Sequence, residues 1–432
     1  MTVDRIIARD VRITDPFTLE VRFEHPARLS RFLFEDRFRA RYTVPIDSVP
    51  EPLLVIPFLT SILPLAWLFD TIVEVDSVDT VFAESAQEVR GGLASLYPSL
   101  SFAGGLHARR TESAPPPSRE RAAMLFSGGL DSVATYALHA EEHPLLISVN
   151  STATDLEPGE AWPPIQRDVE EFARLNCTSS LVVTSNLRRM LNARALDTRF
   201  RRAFNNWWGG IQHSFGMAGL CASLSSAVGF SRLYIASTHA TAMPFPWGSH
   251  PFVDNAIRWS GFRAAHDAYE LTRQDKMRVF GQFTERLGVD LSLHVCDQPR
   301  SGQNCGQCEK CCRTMTGLVL QGHDPMRHGF PPLVPHHIKE QLASGSWRIS
   351  QGIEYLWTDL QEPARTALIA DAPSKTVLAQ SEYVAWLANA DFGVFRKRSG
   401  RNLRRRVRFV LGFLPKQALP ALEWLRRAMG RA

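Results

Sequence analysis

The amino-acid sequence predicts an α/β protein with a doubly wound parallel sheet, an N-terminal α+β accessory domain and a helical C-terminal extension. Short apolar runs separated by helical stretches are typical of parallel strands buried on both faces. These runs are Ala122–Phe126, Leu145–Val149, Leu181–Thr184 and Leu233–Ser237. A proline-rich segment precedes them, and a basic amphipathic tail closes the chain.

The N-terminal residues 1–112 alternate apolar and polar side chains over Val11–Phe23 and Thr71–Phe82. This period of two is typical of half-buried strands and predicts an α+β domain. The segment SAPPPSRE at 113–120 contains three consecutive prolines and predicts a linker. The domain boundary is therefore expected at this segment.

An apolar stretch, Pro52–Phe69, has 18 residues, which is close to the minimum for a transmembrane helix. Prolines at 52, 57 and 64 interrupt it, and proline breaks helices. We therefore expect a buried, broken helix or helix pair and no transmembrane span.

Composition and charge are those of a globular protein with a large core. The 432 residues are 44% hydrophobic and 22% charged, which suggests two or three domains. The net charge of +5 is concentrated in the tail, because Arg396–Ala432 carries twelve Lys or Arg and one acidic residue. Contact with a polyanion is therefore expected of the tail alone. The first residues, MTVDRIIARD, have no apolar h-region, and we expect a cytoplasmic location.

The hexapeptide SGGLDS stands between the first apolar run and a predicted helix. Glycines let the backbone approach a ligand, and a helix start offers unpaired N–H groups to phosphate. The sequence lacks the lysine and the glycine spacing of a Walker loop. The expected nucleotide-binding residues are Ser127, Gly128, Gly129, Leu130, Asp131 and Ser132.

Asp131 is the expected catalytic residue of this loop, because its carboxylate can reach a magnesium ion on the phosphates. The alternative is an ordinary glycine turn with a carboxylate in the first helical turn. Such a charge stabilises a helix only slightly, so replacing Asp131 by Asn is expected to cost little stability.

The loop resembles that of the PP-loop ATP-pyrophosphatase superfamily, with its adenine nucleotide alpha hydrolase-like fold, over roughly residues 121–290. Its members include NAD synthetase, GMP synthetase, asparagine synthetase and tRNA thiolation enzymes. The resemblance implies that ATP and Mg²⁺ are bound, that a substrate oxygen is adenylated and that pyrophosphate is released. An amine or sulfur nucleophile then displaces AMP.

Two further stretches look like parts of that site. IASTHA ends a predicted strand with Ser237 and Thr238, which are expected to bind the nucleotide. ELTRQDKMRVF resembles a signature that places a cation on the phosphates or the substrate carboxylate, which implies catalytic roles for Arg273 and Lys276. The alternative for this stretch is a solvated helix face. The loop between them, rich in Trp, His and Asp, either stacks a heteroaromatic substrate or packs on the N-terminal domain.

Five of the seven cysteines fall within 17 positions, in the segment 291–325. This clustering indicates a metal site in a reducing compartment. The spacing Cys-x8-Cys-x2-Cys-x2-Cys predicts a closed, structural Zn²⁺ site, with an iron–sulfur cluster as the alternative. The expected ligands are Cys296, Cys305, Cys308 and Cys311, whereas Cys312 is expected to be buried or an alternate ligand.

The loop and the cysteine spacing together resemble 7-cyano-7-deazaguanine synthases, which serve queuosine biosynthesis. The resemblance implies a C–N bond-forming ligase that activates a small carboxylate, such as 7-carboxy-7-deazaguanine, for attack by ammonia or a protein amine. Ser148–Asp155 lacks the Asp-Tyr-Gly-Gln pattern of those enzymes, and the chain is longer at both ends. It therefore looks like a divergent member of a group that also occurs in anti-phage defence.

The sequence is also compatible with two other functions. One is modification of tRNA or another nucleic acid by thiolation, for which only Cys177 and Cys221 are free. The other is a nucleotide-sensing interaction protein of a defence system. The helical extension, 326–432, ends in the basic tail, which is typical of a nucleic-acid contact, a membrane-surface helix or a docking helix for an acidic protein. A terminal helix packed on the domain is the competing interpretation.

Overall fold

Eleven strands form one mixed, mostly parallel sheet in the computed structural model, which describes residues 4–153, 156–157, 159, 162–243, 245–296 and 302–399. The strands are β1 (Arg5–Asp15), β2 (Thr18–Glu24), β3 (Arg37–Tyr42), β4 (Ile72–Asp79), β5 (Gly105–Glu112), β6 (Ala122–Leu125), β7 (Leu145–Asn150), β8 (Ser180–Ser185), β9 (Arg232–Ala236), β10 (Arg258–Trp259) and β11 (Phe262–Asp267).

Helices surround this sheet. They are α1 (Glu51–Leu54), α2 (Ile56–Leu68), α3 (Thr80–Leu96), α4 (Leu130–Leu138), α5 (Trp162–Leu175), α6 (Leu187–Met190), α7 (Ala193–Phe200), α8 (His213–Leu224), α9 (Pro251–Asp254), α10 (Arg273–Leu287), α11 (Glu309–Leu320), α12 (Pro335–Ala343), α13 (Gln351–Thr358), α14 (Gln361–Ile369), α15 (Lys375–Ala379), α16 (Ser381–Asn389) and α17 (Phe392–Ser399). Short 3-10 turns span Ala27–Phe32, Ala140–Glu142 and Pro325–His328, and π-helical turns span Trp208–Gln212 and Ser225–Gly229.

The middle of the sheet is a block of parallel strands in the order β8-β7-β6-β9-β11. Counted along the chain within this block, the order is 3-2-1-4-5, which is that of a doubly wound fold. The α/β prediction is confirmed, and the predicted apolar runs are β6, β7, β8 and β9. The order reverses between β6 and β9.

The middle of this block is buried on both faces, because successive residues of β6, β7 and β9 enter different cores. On β6, Ala123 belongs to one core and Met124 to the other. The core around Met124 includes side chains of α4, α5 and α10, and the core around Ala123 includes side chains of α2, α3 and α8. Continuous apolar strands are the sequence pattern that two covered faces require.

The N-terminal strands extend the same sheet rather than forming a sheet of their own. β3 pairs antiparallel with β8, with Ala40 opposite Ser185, and β2, β1, β4 and β5 follow outward. The proline-rich segment 113–120 is packed as well, since a Cβ on Gly261 would lie 2.6 Å from Pro116 and Pro117. The two parts of the chain therefore share one continuous sheet and one of its cores.

The apolar stretch at Pro52–Phe69 forms the helix pair α1 and α2, with Val55 between them. Every residue of α2 except Leu68 is buried. Among the described residues, no helix combines the length and apolar character that a membrane crossing requires. The tail beyond residue 399 lies outside the described residues, and so do the contacts that the sequence predicts for it.

Gly219 of α8 provides a test of this shared core, because it lies directly against Thr60 of α2. A Cβ at Gly219 would be 1.9 Å from Thr60 Oγ1. We expect Gly219→Ala to lower the free energy of unfolding by about 1–3 kcal/mol through overpacking, as measured by urea denaturation.

The matched control is Gly91→Ala in α3, where a Cβ meets nothing within 4 Å. This exposed helical position is expected to gain about 0.5–1 kcal/mol from the same substitution. Equal effects of the two substitutions would contradict the close packing of α2 on α8.

Candidate nucleotide site and metal centre

The SGGLDS loop lies at the carboxyl end of β6 and leads directly into α4. The neighbouring strand β9 ends at Ala236, so Ser237 and Thr238 follow at the same edge of the sheet. Because the strand order reverses between β6 and β9, this is the position where doubly wound folds bind ligands.

The loop is held by its own glycine and serine residues. Gly128 has a φ of 70°, in the left-handed region that favours glycine. Ser132 Oγ donates to the Gly129 carbonyl at 2.9 Å and accepts from Ser127 N–H at 3.4 Å, and the Ser127 side chain is exposed. Leu130 is 1% exposed and packs in the core, so only its backbone is available to a ligand.

Asp131 and Arg273 form an ion pair across the crevice. Arg273 Nη1 donates to both carboxylate oxygens of Asp131 at 2.9 Å. Arg273 is the first residue of α10, whose start is fixed by a capping box between Thr272 and Asp275. Burial favours a higher pKa for Asp131, but Arg273 and Lys276 outweigh it, so the pKa lies below its usual value and the carboxylate is ionised.

Lys276 is enclosed in the crevice wall rather than exposed to a ligand. It is 1% exposed, and its ammonium donates to the Ser237 carbonyl at the end of β9. Burial lowers its pKa, and Asp131 partly opposes this effect. Ser237 is itself fully buried and donates to the His239 carbonyl, whereas Thr238 is half-exposed. The solvated-face alternative is therefore wrong for Lys276 and Arg273, which is 7% exposed.

Two further residues contribute to the electrostatics of this site. Burial lowers the pKa of His239 to about 4, against the attraction of Asp131, so its imidazole is neutral at pH 7. Lys310 lies near enough to lower the pKa of Asp131. Lys310 stands between Cys308 and Cys311. Its position within the cysteine motif is the sequence feature that could have indicated its place near Asp131.

The loop rich in Trp, His and Asp has some residues packed in the protein core and one aromatic residue beside the crevice. Trp259 is buried and stacks on Phe262 with ring centroids 3.7 Å apart, and Asp254 is fully buried and bound to His266. Trp247 lies instead beside His239, with ring centroids 5.1 Å apart. Trp247 thus stands next to the crevice between β6 and β9.

The cysteine motif brings four thiols together. The sulfur atoms of Cys296, Cys305, Cys308 and Cys311 lie within 4.8 Å of one another. Two of the separations are 4.0 and 3.9 Å, close to the distance of about 3.8 Å between ligands of a tetrahedral zinc–thiolate site. The cluster can therefore hold a metal ion such as zinc.

Hydrogen bonds at this cluster lower the pKa of Cys308, and the same interaction with Cys308 raises the pKa of Cys311. Cys305 Sγ accepts from the N–H of Gln307 at 3.4 Å and of Cys308 at 3.2 Å. The thiol and N–H of Cys311 lower the pKa of Cys308, although burial opposes them. Cys312 is buried and its thiol donates to the Gly306 carbonyl at 3.2 Å, outside the four-sulfur group.

The cysteine segment contacts and supports the SGGLDS loop. His294 N–H donates to the Gly128 carbonyl at 2.7 Å, and a Cβ on Gly129 would lie 3.2 Å from the His294 carbonyl. Asn304 fixes this segment, accepting from Val295 N–H at 3.0 Å and donating to the Leu293 carbonyl at 2.7 Å. Since Cys296 is two residues beyond His294, a metal at the cluster would stabilise the loop.

Comparisons with protein-family profiles, curated proteins and solved structures found no match for this chain.

We expect Asp131→Asn to lower the free energy of unfolding by about 1–3 kcal/mol, because Arg273 would lose its partner while remaining buried. This replaces the smaller cost that a helix-start carboxylate alone predicts. The measurement is the urea unfolding midpoint at pH 7. Asp371→Asn, at an exposed position, is the control and is expected to change stability little.

Because the pKa of Asp131 is lowered by folding, its contribution to stability is present above its unfolded pKa and is lost as the pH falls through its folded pKa. The destabilisation by Asp131→Asn is accordingly expected to shrink below about pH 4. A cost that is the same at pH 7 and in acid would contradict an ionised pair.

Proposed function

We propose that the chain is an ATP-pyrophosphatase, which splits ATP into AMP and pyrophosphate to activate a small carboxylate. The observation that carries the proposal is the SGGLDS loop at the reversal of strand order, with Asp131 and Arg273 paired beside it. A glycine loop leading into a helix is suited to phosphate, and the ionised Asp131 is suited to a magnesium ion.

The residues of the crevice have distinct tasks in this proposal. The N–H groups at the start of α4 and the Ser127 hydroxyl bind the pyrophosphate portion of ATP. Mg²⁺ held by Asp131 would neutralise phosphate charge. Arg273 stabilises charge that develops as pyrophosphate leaves, and Lys276 positions the end of β9 through Ser237.

The substrate side of the crevice contains a neutral histidine and an indole. His239 and Trp247 together fit a planar heteroaromatic carboxylate better than a flexible aliphatic one, because aromatic faces stack. Once adenylated, this carboxylate would react with an amine, either ammonia or a protein amine. A deazaguanine carboxylate meets these requirements, and the role in phage defence stays a prediction.

The four cysteines are proposed to hold Zn²⁺ with a structural role. Four protein ligands leave no open position on a tetrahedral metal. The hydrogen bond from His294 to Gly128 would transmit the stability of the site to the loop.

Thiolation has less support, because neither free cysteine is placed for it. Cys221 is fully buried and burial raises its pKa, which suppresses the thiolate. Cys177 lies before β8, at the opposite end of the parallel strands from the loop. A nucleotide sensor would bind ATP at the same crevice but would not turn it over.

The products of ATP turnover test the proposal. With Mg²⁺, ATP and a set of heteroaromatic carboxylates, we expect AMP and pyrophosphate, because the loop is placed to bind the leaving pyrophosphate. Chromatography of the nucleotides and mass spectrometry of the carboxylate measure both halves of the reaction. ADP as the product would exclude the proposal, and ATP binding without turnover would favour the sensor.

Asp131→Asn is expected to reduce AMP formation on the order of a hundredfold or more, because charge compensation at the phosphates is lost. The rate is compared with that of Asp371→Asn at a temperature where both variants are folded. A folded Asp131→Asn protein with nearly full activity would remove Asp131 from the catalytic machinery.

About one zinc per chain is expected, and Cys308→Ser should reduce metal content and melting temperature together, because a structural zinc contributes to folding. Metal is measured by elemental analysis of the purified protein. Cys177→Ser is the control, because Cys177 is exposed and outside the cluster. A metal-free protein of unchanged thermal stability would contradict the zinc assignment, and iron in its place would favour the cluster alternative.

A further inference from the structure

A groove of about 1400 Å³ lies beside the 3-10 turn Ala27–Phe32, α6 and α7. Its lining contains no Asp or Glu. It contains seven arginines, all exposed: Arg31, Arg188, Arg189, Arg194, Arg199, Arg201 and Arg202. The chain outside its basic tail is net acidic, so this cluster is a local feature rather than part of a generally basic surface.

Several arginines of the groove are not paired with a carboxylate of the described residues. Arg31, Arg194, Arg199 and Arg202 make no ion pair with any carboxylate in the described part of the chain. Two acidic residues close in sequence accept hydrogen bonds from other groups, and Asp197 also lies within electrostatic reach of Arg188. Asp197 accepts from Trp207 N–H at 2.6 Å, and Glu35 accepts from the Asn186 amide at 2.8 Å.

The chemistry of the lining favours phosphate groups and bases over other anions. All its cations are guanidinium groups, whose planar forks bind phosphate through two hydrogen bonds and whose faces stack on rings. Phe34 lines the same groove and is 36% exposed, so an aromatic residue lies among the arginines. Arg31 and Arg199 already lie over Phe32 and Phe200, at 4.6 and 5.4 Å from the ring centroids.

The size and shape of the groove indicate an extended ligand. Its volume exceeds the roughly 300–1,000 Å³ of a small-molecule pocket. A concave surface suits a strand that enters it better than a flat membrane surface. Basic grooves with aromatic faces are the usual means of binding single strands, because every nucleotide supplies a phosphate and a base to stack.

We propose that this groove binds single-stranded nucleic acid. The groove is distinct from the nucleotide crevice but opens near the same edge of the sheet. α6 follows β8, which is two strands from β6, and Arg188 N–H donates to the Ser151 carbonyl just beyond β7. The groove does not depend on the activity proposed for the crevice, and its test measures binding without ATP.

The test is fluorescence anisotropy of the full chain with a labelled single strand of about a dozen nucleotides, titrated at several salt concentrations. For four or five phosphate contacts, log K against log salt is expected to have a slope of about −3. Unlabelled duplex of the same sequence, poly-glutamate and vesicles containing an anionic lipid are added as competitors, and each is expected to compete more weakly than the unlabelled single strand.

The variant Arg194→Gln, Arg199→Gln, Arg202→Gln is expected to bind the strand about tenfold or more weakly and to reduce the steepness of the salt slope by about 2. The control is Arg119→Gln, Arg167→Gln, Arg263→Gln, which removes the same charge from exposed positions outside the groove. Both variants retain the basic tail and lose the same charge. A difference in their affinities therefore reports binding by the groove rather than by the tail or by net charge.

Equal affinity of the two triple variants would overturn the proposal, since binding would then come from the tail or from general charge. Stronger competition by poly-glutamate or by vesicles than by the single strand would also overturn it, in favour of an acidic protein or a membrane surface. A wild-type slope near zero would exclude phosphate contacts altogether.

Discussion

The reversal of strand order between β6 and β9 is the constraint on which the candidate site depends. Connections leave these two strands in opposite directions, so their carboxyl ends are not covered by a crossing segment. The crevice is then bounded by the start of α4 and the start of α10, and the pair between Asp131 and Arg273 joins these helix ends. Both charges are largely withdrawn from water, so each helix end is positioned by the other.

The SGGLDS loop is also supported from outside its own sequence. Glycine allows the backbone conformation at Gly128, but a glycine has no side chain with which to pack. The segment ending in Cys296 supplies this support through His294, and Asn304 and the four thiols fix that segment in turn. This arrangement connects the four-cysteine cluster, which could hold a metal ion, to the SGGLDS loop, although more than 160 residues separate them in sequence.

The sequence predicted what depends on local patterns. The four apolar runs mark β6 to β9 to within one residue at each end, because strands buried on both faces are continuously apolar. The cysteine cluster was also predictable, because its cysteines lie close together in sequence. The pairing of β3 with β8 was not predictable, because the paired residues are far apart in sequence. The alternating pattern of a half-buried strand does not indicate which strand lies next to it. The contact between Asp131 and Arg273, 142 positions apart, and the burial of Lys276 are likewise tertiary features.

The distribution of charge connects the crevice and the groove. The net charge predicted polyanion contact for the tail alone, because the acidic and basic residues of the remaining chain were summed together. In the folded chain, residues near position 31 and residues 188–202 come together, and no carboxylate lines the groove that they form. Arg273, Lys276 and Lys310 are concentrated in the same way around Asp131. Outside its basic tail the chain is net acidic, yet it places these two groups of positive side chains near one edge of its sheet. The negative charge elsewhere would restrict where a phosphate-bearing ligand is attracted.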